Sequence, residues 1–364
     1  MQNPAMCRRQ IDMKTLTPEQ LSALISQGEI IQDVSLTSEL LAERDLAGMV
    51  FVNVTFEGVE FRCCRLDETV FQQCQLSYTS FQGMTLKGCS FQQCNLSQAC
   101  FDRTHLDNCI FHDCQLEQFS LQDAALNSTY FISCQLNRAR FVNSTLDKVT
   151  LYDSDIHNGT VHNCHCQSLT LFGMDLRNVT FTGSRFERGV FAHCDLREGK
   201  FQGLTFLACQ FTDNPLDRAD FRQAILTQSC FKGASLRGAC LDEIEAEGAL
   251  FIESDLREAQ CRQAKINHGQ FIAACLHQAD FSHSMLVQSQ WRYAQANSCS
   301  FVACDLSYAD FSWADISHAD LRQARFKRTL MHRACQQGSR FSDRRGILAR
   351  DEALFAAETW NARG

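Results

Sequence analysis

CDLSYADFSWADISHADLRQA, residues 304 to 324, repeats itself every five residues. A large apolar side chain stands at Leu306, Phe311, Ile316 and Leu321, and a small one two places earlier at Cys304, Ala309, Ala314 and Ala319. Neither a helical period of 3.6 nor a strand period of 2 produces that spacing. Working outward, the large position continues without a slipped residue from Phe51, Phe56, Phe61 and Leu66 through to Phe326 and Met331, and 25 of the 28 Phe fall in it. The small position holds Cys74, Thr79, Cys94, Ala99, Cys114, Cys134, Ala219, Ala264 and Ala279, among others. From Leu46 to Met331 neither position contains Asp, Glu, Lys, Arg or His. Two residues in five therefore face a dry interior and three face water.

With ADFRQAILTQSCFKGASLRGA (219–239) beside it, the repeat closely resembles the pentapeptide-repeat family, whose unit is roughly A(D/N)LXX. The likeness covers about residues 36 to 331, sixty consecutive fives. It implies an all-β solenoid: a right-handed quadrilateral parallel β-helix of about 15 coils, four fives per coil, with short N-terminal and C-terminal helical caps. At ~4.8 Å between paired strands the rod is roughly 70 Å long. Residue types support a coil of twenty. The side through Phe51, Phe71, Phe91, Phe111 and Phe131 and the side through Phe61, Phe81, Phe101, Phe141 and Phe181 are rich in Phe. The sides between them, through Leu76 and Leu96 and through Leu66 and Leu86, are mostly Leu. Such a lumen fills with side chains and leaves no ligand channel.

Open solenoid ends expose strand edges and need caps. The division expected is a tail and capping helix over 1–35, the β-helix over 36–341 and a capping or dimerisation helix over 342–364. Thr17 is an N-cap, Pro18 the first helical residue, Gln20 completes a capping box and Gly28 stops the helix. Glu39 and Arg44 fall at normally inward positions of a degenerate first coil. In ILARDEALFAAETW, the residues Ile347, Leu348, Leu354 and Phe355 share one helical face, which covers the last coil or packs on a second subunit.

The chain opens MQNPAMCRRQIDMKTL, without the apolar core of a signal peptide, and no apolar run is long enough to span a membrane. Either Met1 or Met13 serves as the natural start. The expected setting is a bacterial cytoplasm, with export by a signal-less route left open; 21 Cys then read as free thiols. Net charge is −8, with 20 acidic and 12 basic residues in 1–180 and 22 of each after that. A basic end follows from Arg322, Arg325, Lys327, Arg328, Arg344 and Arg345.

No catalytic set, metal site or cofactor motif emerges. Cys74, Cys94, Cys114 and Cys134 recur every twenty residues and stack, but parallel side chains do not converge into a disulfide; they read as small apolar fillers. In DIHNGTVHNCHCQ, Cys164 and Cys166 face inward while His157, His162 and His165 face outward, so no zinc site forms. Val161 and Cys166 stand where Phe or Leu is usual and mark a narrow waist or a local weak point. Outward residues of the Phe51-to-Met331 side are unusually apolar: Tyr130, Ile132, Tyr152, Phe172, Val190, Leu250, Ile252 and Ile272, with only eight charged positions in 45. That strip reads as an interaction face.

The function expected is a non-catalytic protein–protein interaction scaffold or adaptor. The lead-in helix LTPEQLSALISQGEIIQ running into fives resembles modules found with bacterial type VI secretion components, which implies loading or recruitment of an effector. The alternative is a DNA mimic that binds DNA gyrase, as the quinolone-resistance branch does; FQQCQL and FHDCQL resemble that branch. Greater length, a neutral second half and a basic end depart from it. The partner is thus a secretion component, an effector or gyrase; nucleic acid is disfavoured, and homodimerisation through the C-terminal helix or the apolar face stays open.

Overall fold

In the computed structural model, which describes residues 14–361, residue i pairs in parallel with residue i+20 along almost the whole chain. Phe51, Phe71, Phe91 and Phe111 are direct neighbours on successive strands, and Leu86, Leu106, Leu126 and Leu146 form a second such column. The architecture is a parallel β-solenoid of about 17 turns, slightly more than the repeat count predicts. The surplus lies at the ends, in strands without the five-residue signature. Lys14–Thr15 pairs with Val34–Ser35, and Ile347–Leu348 pairs with Thr329–Leu330.

Nearly every five turns through one residue with positive φ, at numbers ending in 3 or 8, from Asp33 to Arg333; Ser38, in a short helix, and Asn178 are the exceptions. Two kinds of corner result. Where a type II turn closes, the N–H of the small residue bonds the carbonyl three back, as Ala224 does to Phe221 and Ala274 to Phe271. Such corners fill most of the second half, where Ala dominates the small position.

In the first half many corners are open, and a side chain from the next coil serves them. Ser154 Oγ accepts from Cys134 N–H at 3.0 Å and lies 3.3 Å from the Phe131 carbonyl, to which it donates. Ser144, Ser184 and Asn214 do the same at other corners. Cys94, Cys114 and Cys134 thiols reach the carbonyls of Phe71, Phe91 and Phe111 at 3.3 Å. These cysteines are therefore more than apolar fillers, because they donate to carbonyls that their open corners leave without a turn bond.

Aromatic rings fill the lumen. Phe71, Phe91, Phe111 and Phe131 stack at 4.7–4.9 Å with interplanar angles of 3–6°, and rings of the opposite side meet them edge-on, as Phe81 meets Phe91 at 5.9 Å and 89°. Phe119 departs from the pattern: it enters from a small position and takes the ring's place beside Leu121, 4.8 Å from Phe101. The stack lapses at Leu151 and Leu171 and resumes at Phe191. There Leu151, Ile156, Val161, Leu171, Met174 and Phe181 surround an apolar void of about 20 Å³, so the packing is incomplete at this point of the column.

The N-terminal cap follows its sequence signals. Helix α1 (Pro18–Gln27) has both capping-box bonds between Thr17 and Gln20, and Gly28 at φ +66° ends it. Leu21 is fully buried. The degenerate coil is corrected: Ser38–Leu41 forms a one-turn helix, α2, and Glu39 and Arg44 point away from the lumen. Arg44 instead bonds the Leu40 carbonyl and Ser22 Oγ, tying the coil to α1.

The C-terminal expectation also changes, because Ile347–Leu348 is a strand and helix α3 spans only Glu352–Asn361. Phe326 and Phe341, 6.1 Å apart, close the end of the column, with the Arg344 guanidinium 4.1 Å over the Phe341 ring.

Four outcomes test this packing. Ser154→Ala strands a buried N–H and a buried carbonyl and lowers unfolding free energy by about 1–3 kcal/mol in urea titration. Val161→Ile adds a methylene to the void and raises it by about 0.8 kcal/mol. Burial pushes the thiols of Cys194 up to about 11 and of Cys209 and Cys304 up to about 12, from an ordinary 9.0. Their folded-state pKa values exceed the unfolded value, so the stability these thiols contribute is constant below about pH 9 and declines as pH rises toward 12, which a series of urea midpoints detects. At neutral pH a thiol reagent modifies exposed Cys63 and Cys335 rapidly and leaves these three untouched.

Candidate interaction surface

The wall that carries Phe51 to Met331 inside presents two outward residues per strand and a third at the corner. Strand pairing aligns Tyr130 with Thr150, and Ile132 with Tyr152 and then Phe172 and Ala192. The Tyr152 and Phe172 rings stack at 4.7 Å and 7° on the outer surface, and His193 meets Phe172 edge-on at 5.0 Å. Tyr130 and Tyr152 are exposed; Ile132, Phe172 and Val190 are half-buried.

The predicted strip is not continuous. Exposed Gln210, Thr212, Asp213 and Lys232 cross it, and half-buried Leu250, Ile252 and Ile272 form a second patch beyond them. That second patch leads to exposed Tyr293, whose ring stacks on Trp313 at 5.2 Å. The stacked Tyr152–Phe172 pair also sits on strands whose inward residues, Leu151 and Leu171, line the void.

The basic end is largely neutralised in place. Arg322 makes a bidentate pair with Asp320, and Arg340 joins the same carboxylate at 2.9 Å. Arg325 faces Asp305 at 3.6 Å and Arg345 pairs with Asp343. Lys327 lies 5.4 Å over the Tyr308 ring, and Arg344 bonds Gln336 besides covering Phe341. Arg328 sits at a positive-φ corner. The side-chain bond from Arg322 holds the Asp320 carboxyl below the usual carboxylate range. The same Asp–Arg clasp recurs at Asp175–Arg177, Asp195–Arg197, Asp220–Arg222 and Asp255–Arg257. It places both charges two residues apart at a corner, so each of these guanidiniums is already bound to a carboxylate.

Two features escape the sequence reading. Adjoining depressions of about 470, 610 and 370 Å³ share Asn158, Arg197 and Glu198 and form a groove along the corner from Glu117 to Glu258. Its cations, such as Arg138 and Lys200, are matched by Glu117, Asp155 and Asp217, so it shows no preferred ligand charge. The second feature is His332, an outward residue that is only 1% exposed because the C-terminal segment lies on it.

Of the histidine cluster, His162 bonds Thr182 Oγ1 at 2.7 Å and His165 lies 3.3 Å from Glu187, while Cys164 and Cys166 are buried. Among the described residues no three His, Cys, Asp or Glu side chains are placed to hold a metal ion. Among them, too, no helix is long and apolar enough to cross a membrane.

Comparison with known proteins places the repeat. Residues 84–160 match the family model described as a pentapeptide repeat region, and 208–242, 247–282 and 304–343 match that of pentapeptide repeats in eight copies; together they cover just over half of the chain. No curated protein matches. Solved structures that align include full-length QnrB1, described as a plasmid-mediated fluoroquinolone resistance protein, at 21% identity over 54% of this chain and 99% of that one, TM-score 0.30. A pentapeptide repeat protein from the thylakoid lumen of Arabidopsis thaliana aligns at 23% identity over 34% and 68%, TM-score 0.18. HetL, involved in heterocyst differentiation regulation in Nostoc sp. strain PCC 7120, aligns at 14% identity over 90% and 97%, TM-score 0.15. Scores this low carry no functional inference. The unbroken period, the coil of twenty and the family models agree: this chain belongs to the pentapeptide-repeat family.

Proposed function

We propose that the chain is a non-catalytic protein-binding scaffold and that its partner lies on the patch of Tyr130, Ile132, Tyr152, Phe172 and Val190. The observation that carries this reading is the Tyr152–Phe172 stack, two rings held flat on the outside of a rigid wall. Aromatic side chains fixed in this way bind at little cost in conformational freedom and are frequent anchors of interfaces. Chemistry has no comparable support. The lumen holds no ionisable group except thiols, and burial keeps Cys194, Cys209 and Cys304 protonated at neutral pH. The outer walls are open to water, where little distinguishes a general acid from any other carboxyl group.

Within this reading the partner is a secretion component or a cargo protein, the role that the lead-in helix suggests. A DNA-mimicking gyrase ligand is less well supported by charge. The outward column Asp67, Lys87, Asp107, Asn127, Asp147 is broken by a cation and a neutral amide and builds no continuous acidic ladder, as a phosphate-binding partner would require.

The test replaces Tyr152 and Phe172 by Ser in the full chain, with a photocrosslinking residue at position 130 to identify what binds. The double substitution weakens the crosslinked partner's binding by about thirtyfold, the scale of an anchor pair, while circular dichroism stays unchanged. Unaltered binding moves the partner to another wall. Gyrase supercoiling assayed at saturating protein is expected to be unaffected; inhibition there favours the mimic.

A further inference from the structure

We propose that the C-terminal end of the apolar wall is a helix-binding surface, fitted to a partner's amphipathic helix bearing an apolar pair and a carboxylate. The chain's own α3 occupies it in the resting protein. The inference stands apart from the Tyr152–Phe172 patch, some eight coils away.

α3 lies on the outside of the wall and plays no part in sealing the column. His332 is outward by the repeat register yet 1% exposed. Its Nδ1 accepts from the Asp351 N–H at 3.2 Å, which leaves the ring proton on Nε2, 3.4 Å from Glu358 Oε2. Arg333 closes on the same carboxylate at 2.6 Å. The side of α3 that is not fully exposed carries Leu354, Phe355 and Glu358, and Asp351 precedes it on the same face. That is the i, i+3, i+4, i+7 spacing of a helix laid in a groove.

Beyond His332 the surface continues through Trp313, 5.3 Å away edge-on, to Tyr293, with the Arg292 guanidinium 5.0 Å over the indole. A helix binder's elements are thus contiguous: a carboxylate clamp at one end and an aromatic shelf leading away from it.

Three observations make α3 a replaceable occupant. Phe326, Phe341 and Arg344 already close the column beneath it. None of residues 352–360 is fully buried, and Trp360 is 82% exposed. A ten-residue helix is also marginal by itself, so α3 depends on this contact for its helicity. Being tethered, it competes at an effective concentration in the millimolar range, and a partner helix binds only by exceeding that advantage.

The experiment uses the full chain and, as probe, a fluorescent synthetic peptide of residues 349–361 with blocked ends. Wild type is expected to bind it weakly. Phe355→Ser with Glu358→Ala frees the surface and tightens peptide binding by about tenfold or more, the tethered competitor being removed. Adding Arg333→Ala or Trp313→Ser to that variant reverses the gain. All of these positions lie outside the lumen, so the far-ultraviolet spectrum reports an intact column in each variant. Equal binding by wild type and the freed variant overturns the proposal, as does binding that survives loss of Arg333 and Trp313. A concentration-dependent dimer that disappears in the freed variant assigns the surface to a second copy and overturns the foreign partner.

Discussion

Backbone hydrogen bonding between residue i and residue i+20 is the constraint on which the structure depends. Each coil must offer its N–H and carbonyl groups at the heights where the next coil needs them, because no water enters to substitute. One inserted residue would turn every later side chain of the coil inside out and break the ladder at once. The absence of a slipped residue between Phe51 and Met331 is the sequence record of that demand. The lumen adds a second requirement, since stacked rings at 4.7–4.9 Å match the strand spacing and so reward the same register.

Open and closed corners show two solutions to one problem. A tight turn satisfies its own carbonyl, and then Ala is enough at the small position, as at Ala224 or Ala274. A wider turn leaves an N–H and a carbonyl unserved, and Ser154 or Asn214 arrives from the following coil to satisfy both. The change from Cys, Ser and Thr in the first half to Ala in the second is therefore a change of corner geometry along the rod. It alters the outer walls without disturbing the register.

How much of this was readable before the fold was seen depends on the residue. Inward and outward assignments needed only arithmetic, and Thr17, Pro18, Gln20 and Gly28 announced α1 directly. Phe119 was not readable, because a ring in the small position looks like an exception to the pattern until its neighbour Leu121 is seen to leave space for it. The strip from Tyr130 to Ile272 was legible as a set, but its division by Gln210 and Lys232 follows from exposure. Ile347 and Leu348 looked helical since two apolar residues fit either period; pairing with Thr329 and Leu330 decided the matter. The burial of His332 required knowing where α3 lies, which no local pattern encodes.

The lapse in the aromatic stack around Leu151, Val161 and Leu171 bears on the rod as a mechanical object. Over most of the rod at least one column of stacked rings runs through the lumen; here a small void and slimmer side chains leave less to compress. A filament of uniform section bends evenly, whereas one with a single compliant segment concentrates curvature there. Two stiff arms joined by a short flexure can follow a curved object, and the outer rings of Tyr152 and Phe172 sit on that joint.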